Sequence, residues 1–259
     1  IYLKNGRVLS SVQIFPRCMC VGNTSVPFGG LGNVATDPTE RGRGLAACLM
    51  LDAVEWMKNA GFAFSMLSTT IPRYYERFGY RTVHREAILI DTMEMMEDPL
   101  VRVTDIRSDF DQIKKIYTLY NREVTGSLIR DDVYWDGQLR FSGEDHANFL
   151  VREIPGQIQG YLRSKVKKGE LLILEFGAIG NYQENFNLLL TSLAARNPVR
   201  PVRVVISESE KKRILLKFHS RIVPDDELMV SVFDVEKNKV LSEQLLKPNN
   251  LTFWMSDFF

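Results

Sequence analysis

The segment Val34-Ala35-Thr36-Asp37-Pro38-Thr39-Glu40-Arg41-Gly42-Arg43-Gly44-Leu45-Ala46 constrains this chain more than any other. Residues 28–36 form an extended run that breaks at Asp37-Pro38-Thr39. From Leu45 the pattern turns helical, with Leu45, Cys48, Leu49, Asp52, Ala53, Trp56 and Met57 recurring at three- and four-residue steps, and Gly61 follows as the C′ residue. A strand that passes into a helix through such a turn requires a fold mixing both elements. The turn also suits an anion. Gly42 and Gly44 let the backbone approach closely, successive N–H groups converge, the helix N-terminus adds positive partial charge, and Arg41 and Arg43 supply full charges. A pyrophosphate fits this geometry. The spacing is neither that of the P-loop, which places Lys-Ser/Thr after its second glycine, nor that of the dinucleotide fingerprint. Without further context, a basic glycine-rich turn also serves purely structural ends.

At 259 residues the length favours two domains, each able to bury a core. Residues 6–13 and 15–21 predict two consecutive strands or one bent strand, 62–67 a short buried strand, 72–76 a helical turn and 81–91 a strand. The pattern restarts near Asp98-Pro99. A strand over 101–106 precedes a helix over 108–121, with Ser108 as N-cap and Asp111 as a first-turn acid. A helix over 131–139 follows, then strands over 147–154, 157–166 and 170–176 with turns at Pro155-Gly156 and 167–169, a helix over 182–195 and a strand over 202–206. This order repeats that of the first unit with its opening elements restored, which predicts two α+β units over 1–97 and 98–206. Residues 207–259 are the least regular part. They contain a strand over 227–235 and four aromatics, Phe253, Trp254, Phe258 and Phe259, in the last seven positions, so this tail is expected to dock.

Composition narrows the function classes. With 33 Lys+Arg against 32 Asp+Glu, the formal charge of +1 gives no reason to expect a nucleic-acid or membrane-surface partner. The three cysteines cannot form a disulfide framework, which points to a reducing cytoplasm. No apolar run reaches the roughly 18 residues of a membrane span. The chain opens at Ile1 within a strand, so a preceding segment is expected to be missing and no leader peptide can be assessed. Cys18-x-Cys20 and the scattered His84, His146 and His219 lack metal-ligand spacing, so no metal is expected. Cys48 reads as core, and the charged runs 163–168 and 211–213 read as solvated hairpin and loop. Glu40 is placed to orient Arg41 or simply to face solvent.

Arg41-Gly42-Arg43-Gly44-Leu45-Ala46 resembles the Gln/Arg-x-x-Gly-x-Gly/Ala loop that binds the acetyl-coenzyme A pyrophosphate in the GNAT superfamily. Tyr75-Glu76-Arg77-Phe78-Gly79-Tyr80 is similar to its Tyr-x-x-Phe-Gly-Tyr segment. The second unit, the strand Met229-Val230-Ser231-Val232-Phe233-Asp234-Val235-Glu236-Lys237 and the ending Ser-Asp-Phe-Phe resemble one branch, the enhanced intracellular survival (Eis) family of tandem-GNAT N-acetyltransferases. The resemblance implies an α+β fold of tandem GNAT units with mixed central sheets and a short C-terminal tail. Within 207–259 the chain is expected to return to the first unit and dock near its active site. It also implies departures: the first strand and helices of the first unit are absent, and the 23 residues after Glu236 leave no room for the sterol-carrier-like third domain usual in that family.

The function so implied is acetyl transfer from acetyl-coenzyme A, without a metal, to a primary amine such as an aminoglycoside-like molecule, a polyamine or a lysine side chain, in a cytoplasmic homo-oligomer. Arg41, Gly42, Arg43, Gly44, Leu45 and Ala46 hold the cosubstrate, and backbone N–H groups near Val34, Ala35 and Thr36 polarise the thioester carbonyl. Tyr75 hydrogen-bonds the departing thiolate, while Tyr74 and Tyr80 pack. The C-terminal carboxylate of Phe259, anchored by the aromatic tail, orients the amine and passes its proton through water. The second unit, whose turn Phe176-Gly177-Ala178-Ile179-Gly180-Asn181-Tyr182 lacks an arginine, is a degenerate scaffold. The rival reading is a coenzyme A-binding sensor or scaffold without turnover.

Overall fold

The computed structural model describes residues 1–92, 94–141, 146–197, 201–213 and 218–257. The chain begins with β1 (Tyr2–Lys4), β2 (Arg7–Val21), β3 (Thr24–Thr36), α1 (Leu45–Asn59), β4 (Phe64–Ser68), α2 (Pro72–Glu76) and β5 (Arg81–Thr82). It continues with β6 (Arg85–Thr92), β7 (Val101–Val103), α3 (Ile106–Asn121), β8 (Leu128–Ile129), α4 (Asp132–Phe141), β9 (Phe149–Ile154), β10 (Gln157–Lys167), β11 (Glu170–Ala178), α5 (Tyr182–Arg196), β12 (Val202–Val205), α6 (Glu208–Arg213) and β13 (His219–Asp225). β14 (Leu228–Val232) and α7 (Lys239–Leu246) follow. The described residues form two units, Ile1–His84 with Asp226–Pro248, and Arg85–Asp225 with Asn249–Asp257.

In the first unit the strand order is β1-β2-β3-β4-β14-β5. Residues 7–21 make one continuous strand, paired with β3 from Ser10↔Thr36 to Val21↔Thr24. β14 arrives from far along the chain and lies between β4 and β5, from Leu228↔Ser68 to Val232↔Phe64 on one side and at Met229↔Thr82 on the other. Helix α1 buries Met50, Ala53 and Met57 against this sheet. Cys48, expected in the core, is exposed. Two residues from Met50, it stands about 200° away around the helix, so the two cannot share a face. At Gly29 a Cβ would fall 2.2 Å from Met57 Sδ, so glycine is what lets α1 settle so close to β3.

The second unit has the strand order β13-β6-β12-β11-β10-β9-β7. The continuous alternation over 81–91 breaks at Val83-His84, and the residues after the break join this unit: β6 pairs β12 from Val202↔Ile90 to Val205↔Ala87, and β13 on its other edge. β7 ends at Val103, earlier than expected, so α3 starts at Ile106 with Asp105 as N-cap. Asp105 accepts the Arg107 N–H at 3.1 Å, and Asp109, in place of Asp111, is the acid of the first turn. The run 163–168 is solvated only toward its hairpin tip. Arg163 is 1% exposed and faces Glu175 at 3.5 Å, because the middle of β10 is covered while its end projects. Residues 211–213 belong to helix α6, where Lys211 bonds Glu208 at 2.7 Å and Arg213 donates to the Tyr120 carbonyl at 2.8 Å. Of the tail aromatics, Phe253 and Trp254 are buried in this unit, and the Trp254 indole donates to Asn121 at 2.9 Å. Phe258 and Phe259 lie outside the described residues.

Candidate active site

The site begins where two strands part. β3 and β4 run parallel and pair at Phe28↔Phe64, Gly29↔Ser65 and Gly30↔Met66, after which they no longer partner each other. On its other side β3 slips against β2 between Ser11 and Gln13, so Asn33 and Val34 stand opposite Val12 alone. Asn33 takes up the extra residue with a left-handed φ of 51°. A bulge of this kind re-aims the backbone and takes polar groups off the ladder. It lies at the mouth of the gap between the strands.

Asp37 organises the turn that follows. Its carboxylate accepts the Thr39 N–H at 2.9 Å and the Thr39 hydroxyl at 2.6 Å, and pairs with Arg7. The Thr39 hydrogen bonds, with Arg7 behind them, hold this carboxyl below its usual range. Gly42 and Gly44 then take φ of 81° and 79°, with nothing within 4 Å of where a Cβ would stand, so glycine is required here by torsion alone. Gly44 is the N-cap of α1. No side chain caps this helix and no acid occupies its first turn. Its leading N–H groups, unsatisfied within the helix by geometry, are therefore available to an anion. The start of α5 in the second unit differs, since Asn181 caps the Glu184 N–H at 3.2 Å and Glu184 places an acid in the first turn.

A cleft of about 640 Å³ opens over the strand gap. Val34, Ala35 and Thr36 form one wall, Glu40, Arg41 and Gly42 of the turn with Gly44, Leu45, Ala46 and Ala47 at the head of α1 a second, and Ile71, Tyr74, Tyr75 and Arg77 the opposite wall. Eight of the expected binding residues thus share this cleft with Tyr75. Arg43 does not line it. Its side chain is 61% exposed and pairs with Glu40, so Glu40 engages Arg43 and not Arg41.

Tyr75 is half-buried, with its ring edge-on to Tyr74 at 5.0 Å and to Tyr80 at 6.3 Å. Burial, and then the neighbouring Tyr74, push its hydroxyl above the ordinary tyrosine value, so it stays protonated through neutral pH. Among the described residues that hydroxyl has no hydrogen-bond partner, which leaves it available to the cleft. Tyr80 is packing, as expected: it is 1% exposed and donates to Ser65 Oγ at 2.7 Å. Tyr74 is not only packing. It lines the cleft and carries Arg77, whose guanidinium lies 4.3 Å from its ring centroid. Ile71, Tyr74 and Arg77 escape the sequence reading because Arg77 fills an unspecified place in the Tyr-x-x-Phe-Gly-Tyr pattern and Ile71 precedes it. Phe259 lies outside the described residues, among which no group of His, Cys, Asp and Glu could hold a metal. No helix among them is long and apolar enough to cross a membrane.

Residues 1–83 match the family model described as acetyltransferase (GNAT) domain. The N-acetyltransferase Eis of Mycobacterium tuberculosis (strain H37Ra) is 29% identical over 129 residues, which cover 44% of this chain and 31% of that protein. The match therefore spans about a third of the length of this curated relative. The crystal structure of Eis1 from Mycobacterium abscessus superposes with a TM-score of 0.65 at 17% identity, covering 92% of this chain and 65% of that one. Saccharomyces cerevisiae N-myristoyltransferase with bound myristoyl-CoA superposes with a TM-score of 0.56 at 11% identity, over 88% of this chain and 67% of that one. At these identities the structures speak for the fold alone, an α+β arrangement of Eis type with mixed sheets. The parted strands and the glycine turn both fall within residues 1–83, the part of the chain that is similar to acetyltransferase (GNAT) domains, and the chain also has sequence similarity to the Eis N-acetyltransferases.

Proposed function

We propose that the first unit transfers an acetyl group from acetyl-coenzyme A to a primary amine. The observation that carries this reading is the uncapped, acid-free N-terminus of α1, with Gly42, Gly44 and Arg41, in one cleft with Tyr75. It is supported by the match to a GNAT domain and by a neighbour in fold that holds myristoyl-CoA. Acetyl-coenzyme A supplies an acyl group activated as a thioester. Arg41 and the N–H groups of Leu45 and Ala46 hold its pyrophosphate. A backbone N–H at the β3 bulge hydrogen-bonds the thioester oxygen as charge gathers on it. The Tyr75 hydroxyl, less acidic than a thiol near 8.5, hydrogen-bonds the sulfur as it departs and does not surrender its proton outright. The acceptor attacks as a neutral amine; as the C–N bond forms and the C–S bond breaks, coenzyme A leaves as its thiolate and the proton shed by the amine nitrogen passes to solvent. The acceptor's class is that expected for Eis-like enzymes, namely an aminoglycoside-like molecule, a polyamine or a lysine side chain, and self-association is expected on the same ground.

Titration calorimetry with acetyl-coenzyme A tests the cleft. Arg41→Ala is expected to weaken binding roughly 10- to 150-fold, the value of a lost charge-assisted contact, whereas Arg43→Ala, already neutralised by Glu40, changes it by less than about threefold. Unchanged binding in Arg41→Ala would remove Arg41 from the site. A panel of amines then tests turnover, and tight binding with no product from any of them would make the protein a coenzyme A-binding scaffold instead.

A further inference from the structure

The cleft has two cations on its walls, Arg41 and Arg77, and one carboxylate, Glu40; among the described residues neither cation is paired with a carboxylate. The nearby Arg43 is satisfied by Glu40. Arg41 stands with the helix start that suits a pyrophosphate, which leaves Arg77 on the opposite wall without a role. Its guanidinium carbon lies 4.3 Å from the Tyr74 ring centroid and 4.8 Å from that of Phe78. Contact with two aromatic rings restrains the side chain, and among the described residues its N–H donors carry no hydrogen bond to a protein acceptor. A planar fork of donors held at a cleft wall suits an oxyanion with several acceptor oxygens. Glu76 adjoins Arg77 in sequence and does not pair with it.

We propose that Arg77 binds the 3′-phosphate on the ribose of coenzyme A, so that the cleft grips the cosubstrate at two separate phosphate groups and discriminates against its 3′-dephospho form. This rests on the acetyl-coenzyme A reading above. A phosphomonoester carries about −1.5 to −2 charges at neutral pH, and the loop around Gly42 and Gly44 accounts for the pyrophosphate only. Tyr74 is then a positioning residue that restrains the guanidinium at the cleft wall.

Calorimetry with two probes, acetyl-coenzyme A and acetyl-3′-dephospho-coenzyme A, separates the possibilities. The unaltered chain is expected to bind the first at least tenfold more tightly. Arg77→Gln should lose that factor for acetyl-coenzyme A and leave the dephospho probe within about twofold, while Arg77→Lys should restore part of the discrimination. Arg77 is exposed, so these substitutions leave the core intact. Equal affinity of the unaltered chain for both probes, or an equal loss for both in Arg77→Gln, overturns the proposal while leaving the acetyl-coenzyme A site standing. If the chain binds neither probe, the cosubstrate reading itself falls, and the role of Arg77 with it.

Discussion

Gly44 and Gly29 show two different reasons for a glycine. At Gly44 the space for a Cβ is open and only the φ of 79° forbids one; at Gly29 the Met57 sulfur would lie 2.2 Å away. Gly44→Ala is therefore expected to cost about 1–2 kcal/mol of stability through torsion, measurable by urea denaturation, and to weaken acetyl-coenzyme A binding by displacing the helix start. Tyr75→Phe keeps the ring among Tyr74 and Tyr80 and deletes only the hydroxyl. It should lower kcat by about 10²- to 10⁴-fold with the KM for acetyl-coenzyme A little changed, and an unchanged kcat with a raised KM would place Tyr75 outside the chemistry. Because burial raises the Tyr75 hydroxyl, the rate should show no loss from its ionisation below about pH 10. Much of this scale is legible in the sequence, since Gly42, Gly44 and Arg41 act through torsions and charges set by adjacent residues. What separates Arg43 from Arg41 is not legible, because it depends on which side chain Glu40 reaches in the folded turn.

Where elements of the second unit meet, buried charges decide the energetics. Arg130 precedes α4 and bonds Glu175 of β11 and, at 2.8 Å, Asp257 of the tail; Arg163 of β10 faces the same Glu175. Burial opposes the charge on Glu175, but the two arginines and the Ser256 hydroxyl outweigh it and hold the carboxyl down at about 2. Arg130→Met would leave two buried carboxylates short of their counter-ion and should cost about 3–5 kcal/mol, read as a lower urea midpoint. Glu210 of α6 is the opposite case. Burial pushes it up to about 7, against hydrogen bonds from the Thr252 hydroxyl at 2.5 Å, the Ser207 N–H at 3.3 Å and the Tyr120 hydroxyl at 3.2 Å, with Arg213 nearby. Its folded value lies above the ordinary carboxyl value near 4.3, so the native state holds the proton more tightly. The stability it contributes is complete below about pH 4.3 and is lost as pH rises through about 7. Urea midpoints should therefore fall between pH 5 and pH 8 in the unaltered chain, and Glu210→Gln should remove that part of the fall; identical pH profiles would show that Glu210 is charged throughout.

On the scale of the whole molecule, neither unit is a continuous piece of chain. The family match ends at residue 83, yet the sheet of the first unit has β14, residues 228–232, inserted beside β4. A fragment of residues 1–84 would lack that strand, lose Met229 and Phe233 from its core and leave β5 without its partner. Such a fragment is expected to show no cooperative unfolding by circular dichroism, whereas one joining 226–248 to it through a flexible linker should recover the transition; a cooperative transition in 1–84 alone would show that β14 is dispensable. Local interactions are what the sequence alone could determine: the strand-turn-helix at 34–46, the hairpin turns and the helical periods all follow from spacing and from torsions within a few residues. The tertiary structure alone decided the rest. The alternation over 81–91 is a strand signal throughout, but only pairing partners more than a hundred residues away divide it between two sheets. Arg163 looks like a surface charge until Glu175 and Gln138 engage it in the buried middle of β10. Burial and pairing depend on contacts distant in sequence, and neither periodicity nor composition carries that information.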